Sequence, residues 1–80
     1  MVLSIGTFNV RGLTNENKQR NLEKDFQRYK LQILAIQETK HKEGAEIDFD
    51  SKNRLIMFEQ STSHRGVGFL ISNSIINNVI

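Results

Sequence analysis

Eighty residues with neither cysteine nor proline allow one small domain, exclude a disulfide framework or a cysteine-bound zinc site, and argue against a long linker. The net charge of +2, from eleven Lys and Arg against nine Asp and Glu, fits a nucleic-acid partner without demanding one, because the two signs are interspersed. No apolar run approaches the roughly 18 residues of a membrane span, and the start Met1-Val2-Leu3-Ser4-Ile5-Gly6 lacks the basic and apolar regions of a signal peptide. An intracellular location, nuclear or otherwise, is expected, without membrane association or secretion.

Residues 2–10 are rich in β-branched and aromatic side chains and predict a strand. Alternation puts Leu3, Ile5, Thr7 and Asn9 on one face and Val2, Ser4, Phe8 and Val10 on the other. The Asn9 amide therefore ends the strand on a face shared with two aliphatic residues. Gly12 supplies a turn after Arg11. From about residue 15 to 29 the period becomes helical, with Leu22, Phe26 and Tyr29 at i, i+4 and i+7 forming one apolar stripe. Thr14 or Asn15 is the expected N-cap. Glu16 and Arg20 are spaced for an ion pair worth roughly a few tenths of a kcal/mol. The basic residues of this helix read as a solvated face rather than as a groove reader.

Residues 31–37 predict a second strand. Its centre, Ile33-Leu34-Ala35-Ile36, lacks polar alternation, as in a strand buried on both faces. The run ends abruptly in Gln37-Glu38-Thr39-Lys40. Strand, helix and strand of these lengths make a βαβ unit with parallel strands and a right-handed crossover. Parallel strands end at the same sheet edge, where open α/β sheets take their ligands. If the two strands are neighbours, the Asn9 amide and the Glu38 carboxylate face one crevice.

Residues 41–52 are polar and predict a surface loop. Residues 54–60, with Leu55-Ile56-Met57-Phe58, predict a third strand, 61–65 a loop and 66–72 a fourth strand. Their short connection favours an antiparallel hairpin. Gly66 and Gly68 imply close backbone approach or a bulge. The expected architecture is α/β, a mixed sheet with a helix on one side. The last segment, Ser74-Ile75-Ile76-Asn77-Asn78-Val79-Ile80, is apolar and strand-like with no polar tail. A buried edge strand is one explanation; a chain truncated at its carboxy-terminal side is the expectation.

Three of these segments together resemble one family. Thr7-Phe8-Asn9-Val10-Arg11-Gly12-Leu13 resembles the first motif of the endonuclease/exonuclease/phosphatase superfamily. Ile36-Gln37-Glu38-Thr39-Lys40 resembles its Gln-Glu-Thr-Lys metal-binding motif, and Arg65-Gly66-Val67-Gly68-Phe69-Leu70-Ile71-Ser72 resembles the strand near the middle of its amino-terminal half. Each alone is a weak sign; three in order, each on the element that periodicity predicts, make a stronger one. The form Asn-Val-Arg-Gly-Leu is nearest to the endonuclease domains of non-LTR retrotransposons and the host proteins derived from them. The resemblance covers nearly the whole chain but only about the first third of a complete family domain.

The resemblance implies the amino-terminal part of a four-layer α/β/β/α sandwich (the βαβ unit followed by the β-hairpin) and a hydrolase that cuts phosphate esters with Mg²⁺ or Mn²⁺. Glu38 matches the metal-ligating glutamate, and a single carboxylate suits a hard ion that keeps several waters. Asn9 matches the asparagine that helps organise the metal site and the phosphate. Lys40 matches the lysine that adds positive charge near the phosphate oxygens. Arg11 is a candidate for contact with a nucleic-acid phosphate. It also stands where the apurinic-site repair branch often has an acidic or amide residue, which argues against repair activity. Phe8 replaces the commoner Trp as a core residue, and Arg65 replaces a glycine.

The family's Asp-x-Asn motif and terminal Asp-His pair have no counterpart, and neither His41 nor His64 has a matching context. The expected function is thus the amino-terminal fragment of a retroelement-type, Mg²⁺-dependent DNA endonuclease, inactive as an isolated chain, with the rest of the domain on its carboxy-terminal side. The rival readings are a non-catalytic module that binds nucleic acid or a partner, and an inert remnant. A phosphatase, deadenylase or sphingomyelinase parent is the alternative within the superfamily.

Overall fold

Strand and helical periods alternate along the chain, and the computed structural model, which describes residues 3–40, 43–58 and 66–76, turns them into a five-stranded sheet with a helix on one face. The elements are β1 (Ile5–Asn9), α1 (Glu16–Arg28), β2 (Ile33–Gln37), β3 (Ala45–Asp48), β4 (Arg54–Met57), β5 (Val67–Ile71) and α2 (Asn73–Ile76). The strand order is β1-β2-β5-β4-β3. β1 and β2 are parallel neighbours joined through α1, and every other pairing is antiparallel. The α/β class, the βαβ unit and the β4–β5 hairpin expected from the sequence are all present.

Local chemistry sets the ends of α1. Asn15, not Thr14, is the N-cap: its extended backbone (φ −100°, ψ 131°) lets Oδ1 accept from the Asn17 amide at 2.7 Å. Glu16 in the first turn and Arg28 in the last complement the helix dipole. The Glu16–Arg20 pair closes at 2.7 Å, though both partners are well exposed and it adds little. At the other end Lys30 adopts φ +54°. Its amide donates to the Gln27 carbonyl at 3.1 Å and that of Leu31 to Phe26 at 3.3 Å, the pattern of a Schellman stop with lysine in the place glycine usually takes.

The pleat sends Leu34, Ile36, Leu55, Met57 and Leu70 toward α1, where they pack with Leu13, Leu22 and Phe26. Tyr29 does not complete the stripe as the sequence reading expects; it is 67% exposed. As the C-cap residue it lies past the last helical turn, and its ring sits 5.6 Å from the Arg28 guanidinium instead. Phe8, read as a core residue, is also largely exposed, because β1 is an edge strand.

Two further expectations are corrected. The stretch read as a loop over 41–52 contains β3, whose Ala45 and Ile47 pack on the core while Glu46 and Asp48 face out. Its alternation is only two periods long and is masked by the acids Glu46 and Asp48, residue types depleted in strands. Arg54 opposite holds both acids, Asp48 at 2.7 Å and Glu46 at 3.2 Å. The hydrogen bond to Asp48, then that residue's charge, raise the guanidinium above its ordinary value. The stretch read as strand-like from Ser74 instead begins within a single helical turn. There the Ser72 carbonyl accepts from the amides of Ile75 and Ile76 at 3.0 and 3.1 Å. Residues 77–80 lie outside the described residues. Among the described residues no helix is long and apolar enough to cross a membrane.

A buried polar clamp ties α1 to the β3–β4 turn and to α2. Glu23 Oε2 accepts from Asn53 Nδ2 at 2.7 Å and from Ser51 Oγ at 3.1 Å. Asn53 Oδ1 accepts from the Asn73 amide at 2.9 Å, and Asn73 Nδ2 donates to the Ser51 carbonyl at 2.7 Å. Asn53→Ala is expected to cost about 2–3 kcal/mol, because it strips a donor from a buried carboxylate and an acceptor from a backbone N–H together. Urea unfolding checks this; a loss below about 0.5 kcal/mol would mean that water replaces the amide.

The opposite face of the sheet has no helix over it among the described residues. Ile5, Val67, Phe69 and Phe58 are exposed there, and Ile33, Ala35, Ile56 and Ile71 share the face by register.

Candidate functional site at the carboxyl edge of the parallel strands

The register Asn9↔Gln37 brings the last residues of β1 and β2 side by side, and the two chains stay together as they leave the sheet. Val10 N donates to the Gln37 carbonyl at 3.1 Å, Gly12 N to Glu38 at 2.7 Å and Leu13 N to Thr39 at 2.7 Å. A third segment joins them, since Thr39 N donates to the Gly66 carbonyl at 3.3 Å at the entry to β5. Three loops are thus held to one another by main-chain bonds.

The backbone here is unusual. Of the seven described residues with positive φ, five lie in these loops: Arg11 (52°), Gly12 (112°), Glu38 (57°), Lys40 (54°) and Gly66 (128°). Non-glycine residues in this region cost about 1 kcal/mol or more each, and persist only where the surroundings hold them. The remaining two, Lys30 and Lys52, end α1 and turn β3 into β4. Such clustering is characteristic of binding and catalytic edges.

Each sequence-derived candidate has a definite place. Asn9 is exposed, and its Oδ1 accepts from the Arg11 amide at 3.1 Å, which sets the turn and leaves the oxygen a second lone pair. Glu38 is half-buried. Register puts Gln37 on the same face as Asn9, so a continued pleat would send Glu38 to the helix side; the left-handed residue ends that alternation. Lys40 is exposed, with Cδ 3.6 Å from where a Gly12 side chain would begin. Its stem therefore reaches from the second loop onto the first. Arg11 is exposed in that first loop. The structure brings all four candidates to one edge. His41, His64 and Arg65 lie outside the described residues.

Two contributors carry no advance signal. Thr39 is completely buried between two left-handed neighbours, although a threonine flanked by Glu and Lys reads as a surface residue. Leu13, 1% exposed, follows Gly12 and belongs to the core cluster.

One carboxylate, Glu38, and one amide oxygen, that of Asn9, belong to this edge, and both are hard oxygen donors of the type that Mg²⁺ takes in small number while keeping its waters. No cage of three acidic, histidine or cysteine side chains gathers among the described residues. A cleft of about 190 Å³ opens beside this edge, lined by Gly12, Leu13, Lys18 and Asn21 among others. None of the four candidates lines it, nor do they line the larger clefts of about 510 Å³ between α1 and the β3–β4 turn and about 530 Å³ beside Arg54 and Ile76. Compared with known proteins, the chain matches no family model, no curated protein and no solved structure.

Proposed function

We propose that this chain is the amino-terminal part of a metal-dependent phosphodiesterase of the endonuclease/exonuclease/phosphatase type, with a DNA backbone as its substrate as in the retroelement endonucleases. The observation that carries the reading is the junction of β1 and β2. Two parallel neighbours deliver Asn9, Arg11, Glu38 and Lys40 to one rim through loops bonded to each other, with three of the four residues in left-handed conformations.

Glu38 and Asn9 would hold Mg²⁺ or Mn²⁺, which when bound supplies charge stabilisation at the scissile phosphate and the leaving oxygen. Lys40 and Arg11 place two positive charges beside that point, one for the phosphate undergoing reaction and one for the flanking backbone. None of the four matches the residues that activate water in the family the chain resembles, so on this reading turnover requires groups supplied from elsewhere in a complete domain. The isolated chain is inactive on this reading.

The four-layer sandwich belongs to the same proposal. An apolar sheet face bearing Ile5, Val67 and Phe69 is suited to a second sheet about 10 Å away, with a further helical layer beyond it. That sheet would come from the remainder of the domain.

The test is a Mn²⁺ titration of the chain followed by NMR. Paramagnetic broadening is expected first at the amides of residues 9–13 and 37–40, and is expected to vanish in Glu38→Gly. Because glycine relieves the left-handed backbone, that variant should be as stable as the parent or up to about 1 kcal/mol more so, which separates loss of a ligand from loss of fold. Broadening centred elsewhere, or unchanged in the variant, sinks the reading. Salt-sensitive DNA binding indifferent to metal would favour the non-catalytic module.

A further inference from the structure

The two edges of the sheet differ in how they are guarded. β3 presents Glu46 and Asp48, both paired to Arg54, the kind of charged rim that discourages strand addition. β1 has no such guard. Leu3-Ser4-Ile5-Gly6-Thr7-Phe8-Asn9 contains no charge and no proline, its register with β2 runs without a bulge, and four of its five strand residues are exposed.

The direction of its free hydrogen-bonding groups follows from the ladder. The Ser4 carbonyl accepts from Ile33 N at 3.2 Å and Val10 N donates to the Gln37 carbonyl at 3.1 Å. The even-numbered residues therefore address β2, and alternation turns the N–H and C=O of Ile5, Thr7 and Asn9 away from the sheet. Among the described residues no strand receives them.

We infer that β1 pairs antiparallel with β1 of a second copy of this chain, about a two-fold axis through Thr7. The array is self-complementary. Ile5 opposite Asn9 of the other copy, Thr7 opposite Thr7, and Asn9 opposite Ile5 each exchange both main-chain bonds, which satisfies every outward group of both strands. Between them, Gly6 stands opposite Phe8 in the non-hydrogen-bonded positions, where side chains approach most closely. The Phe8 ring, 53% exposed in one copy, then covers the bare backbone of the partner's Gly6, the arrangement in which an aromatic rescues an edge glycine. A charged partner strand would find no counter-charge on this edge, whereas a second copy brings none. The inference uses β1's main chain and is independent of the metal-site reading.

The test uses the whole chain and two variants. Sedimentation equilibrium is expected to show concentration-dependent growth from 9.2 kDa to twice that mass, without larger species dominating. Thr7→Pro removes an N–H that β2 does not use, so the fold is spared while the central pair is lost; the dimer Kd is expected to rise by roughly tenfold or more. Thr7→Lys sets like charges face to face and should act in the same direction, covering the case in which the proline variant folds poorly. In hydrogen exchange, the amides of Ile5, Thr7 and Asn9 should gain protection on dimerisation, while those of Gly6 and Phe8 are protected in monomer and dimer alike. A chain monomeric at every concentration overturns the inference. So does association of undiminished strength in either folded variant, which would place the contact on the apolar sheet face.

Discussion

Gly68→Ala is expected to cost about 3 kcal/mol of folding free energy. Gly68 is buried on the helix side of β5, between Ile36 of β2 and Met57 of β4. A methyl group there would begin 2.5 Å from the Ile56 carbonyl oxygen and 3.3 Å from the Met57 Cα. Both obstacles are main chain, so relief requires β4 and β5 to move apart and their ladder to weaken. For a chain of this size the total stability is on the order of 4–12 kcal/mol, so the change removes a large share of it. Gly6→Ala is the control. Its new methyl would meet only the side-chain ends of Leu31 and Leu34, at 3.3 Å, and the expected cost is below about 1 kcal/mol because those groups can turn. Urea unfolding of the pair checks the contrast. Equal midpoints would mean that β4 and β5 are not packed as closely as described.

Phe26→Ala is expected to be as damaging, about 3–5 kcal/mol. The ring is 2% exposed and belongs to the single cluster that joins α1 to the sheet. Phe26 also stands two residues before the helix end, where the Leu31 amide returns to its carbonyl in the Schellman stop. Removing it leaves a cavity in a one-sided core and loosens the turn that feeds β2. Far-UV circular dichroism during thermal unfolding should show the variant largely unfolded or without a cooperative transition. Tyr29→Ala, at the position the helical period assigns to the same stripe, should change stability by less than about 0.5 kcal/mol, because that ring is exposed. Similar losses at both positions would restore Tyr29 to the core.

The contrast between Phe26 and Tyr29 indicates what the sequence discloses. Periodicity reports direction within an element, and it located the strand–helix–strand unit; residue type narrowed the N-cap to Thr14 or Asn15 and marked Gly66 and Gly68 for close approach or a bulge. It does not report where an element stops facing its partner, and so it overextends to Tyr29; the core reading of Phe8 came from the resemblance, which does not announce that β1 is an edge strand here. β3 was illegible for another reason: Glu46 and Asp48 suit a surface loop, and only Arg54 on the neighbouring strand makes them tolerable in a sheet. At the candidate site the residue types and the shared edge were legible. The left-handed turns at Arg11, Glu38 and Lys40 were not, because nothing in an arginine, glutamate or lysine announces a positive φ. The burial of Thr39 was not legible, because it lies where a distant segment, entering at Gly66, meets the loop after β2.

The bonds that Val10, Gly12 and Leu13 make across the loops after β1 and β2 run from amide to carbonyl. Asn9 apart, whose side chain sets the first turn, these bonds do not depend on which side chains the rim displays. Positions 11, 38 and 40 are then open to exchange without dismantling the frame, and related chains could present quite different reactive groups from the same seam. The scaffold and its chemistry are in that sense separately inherited.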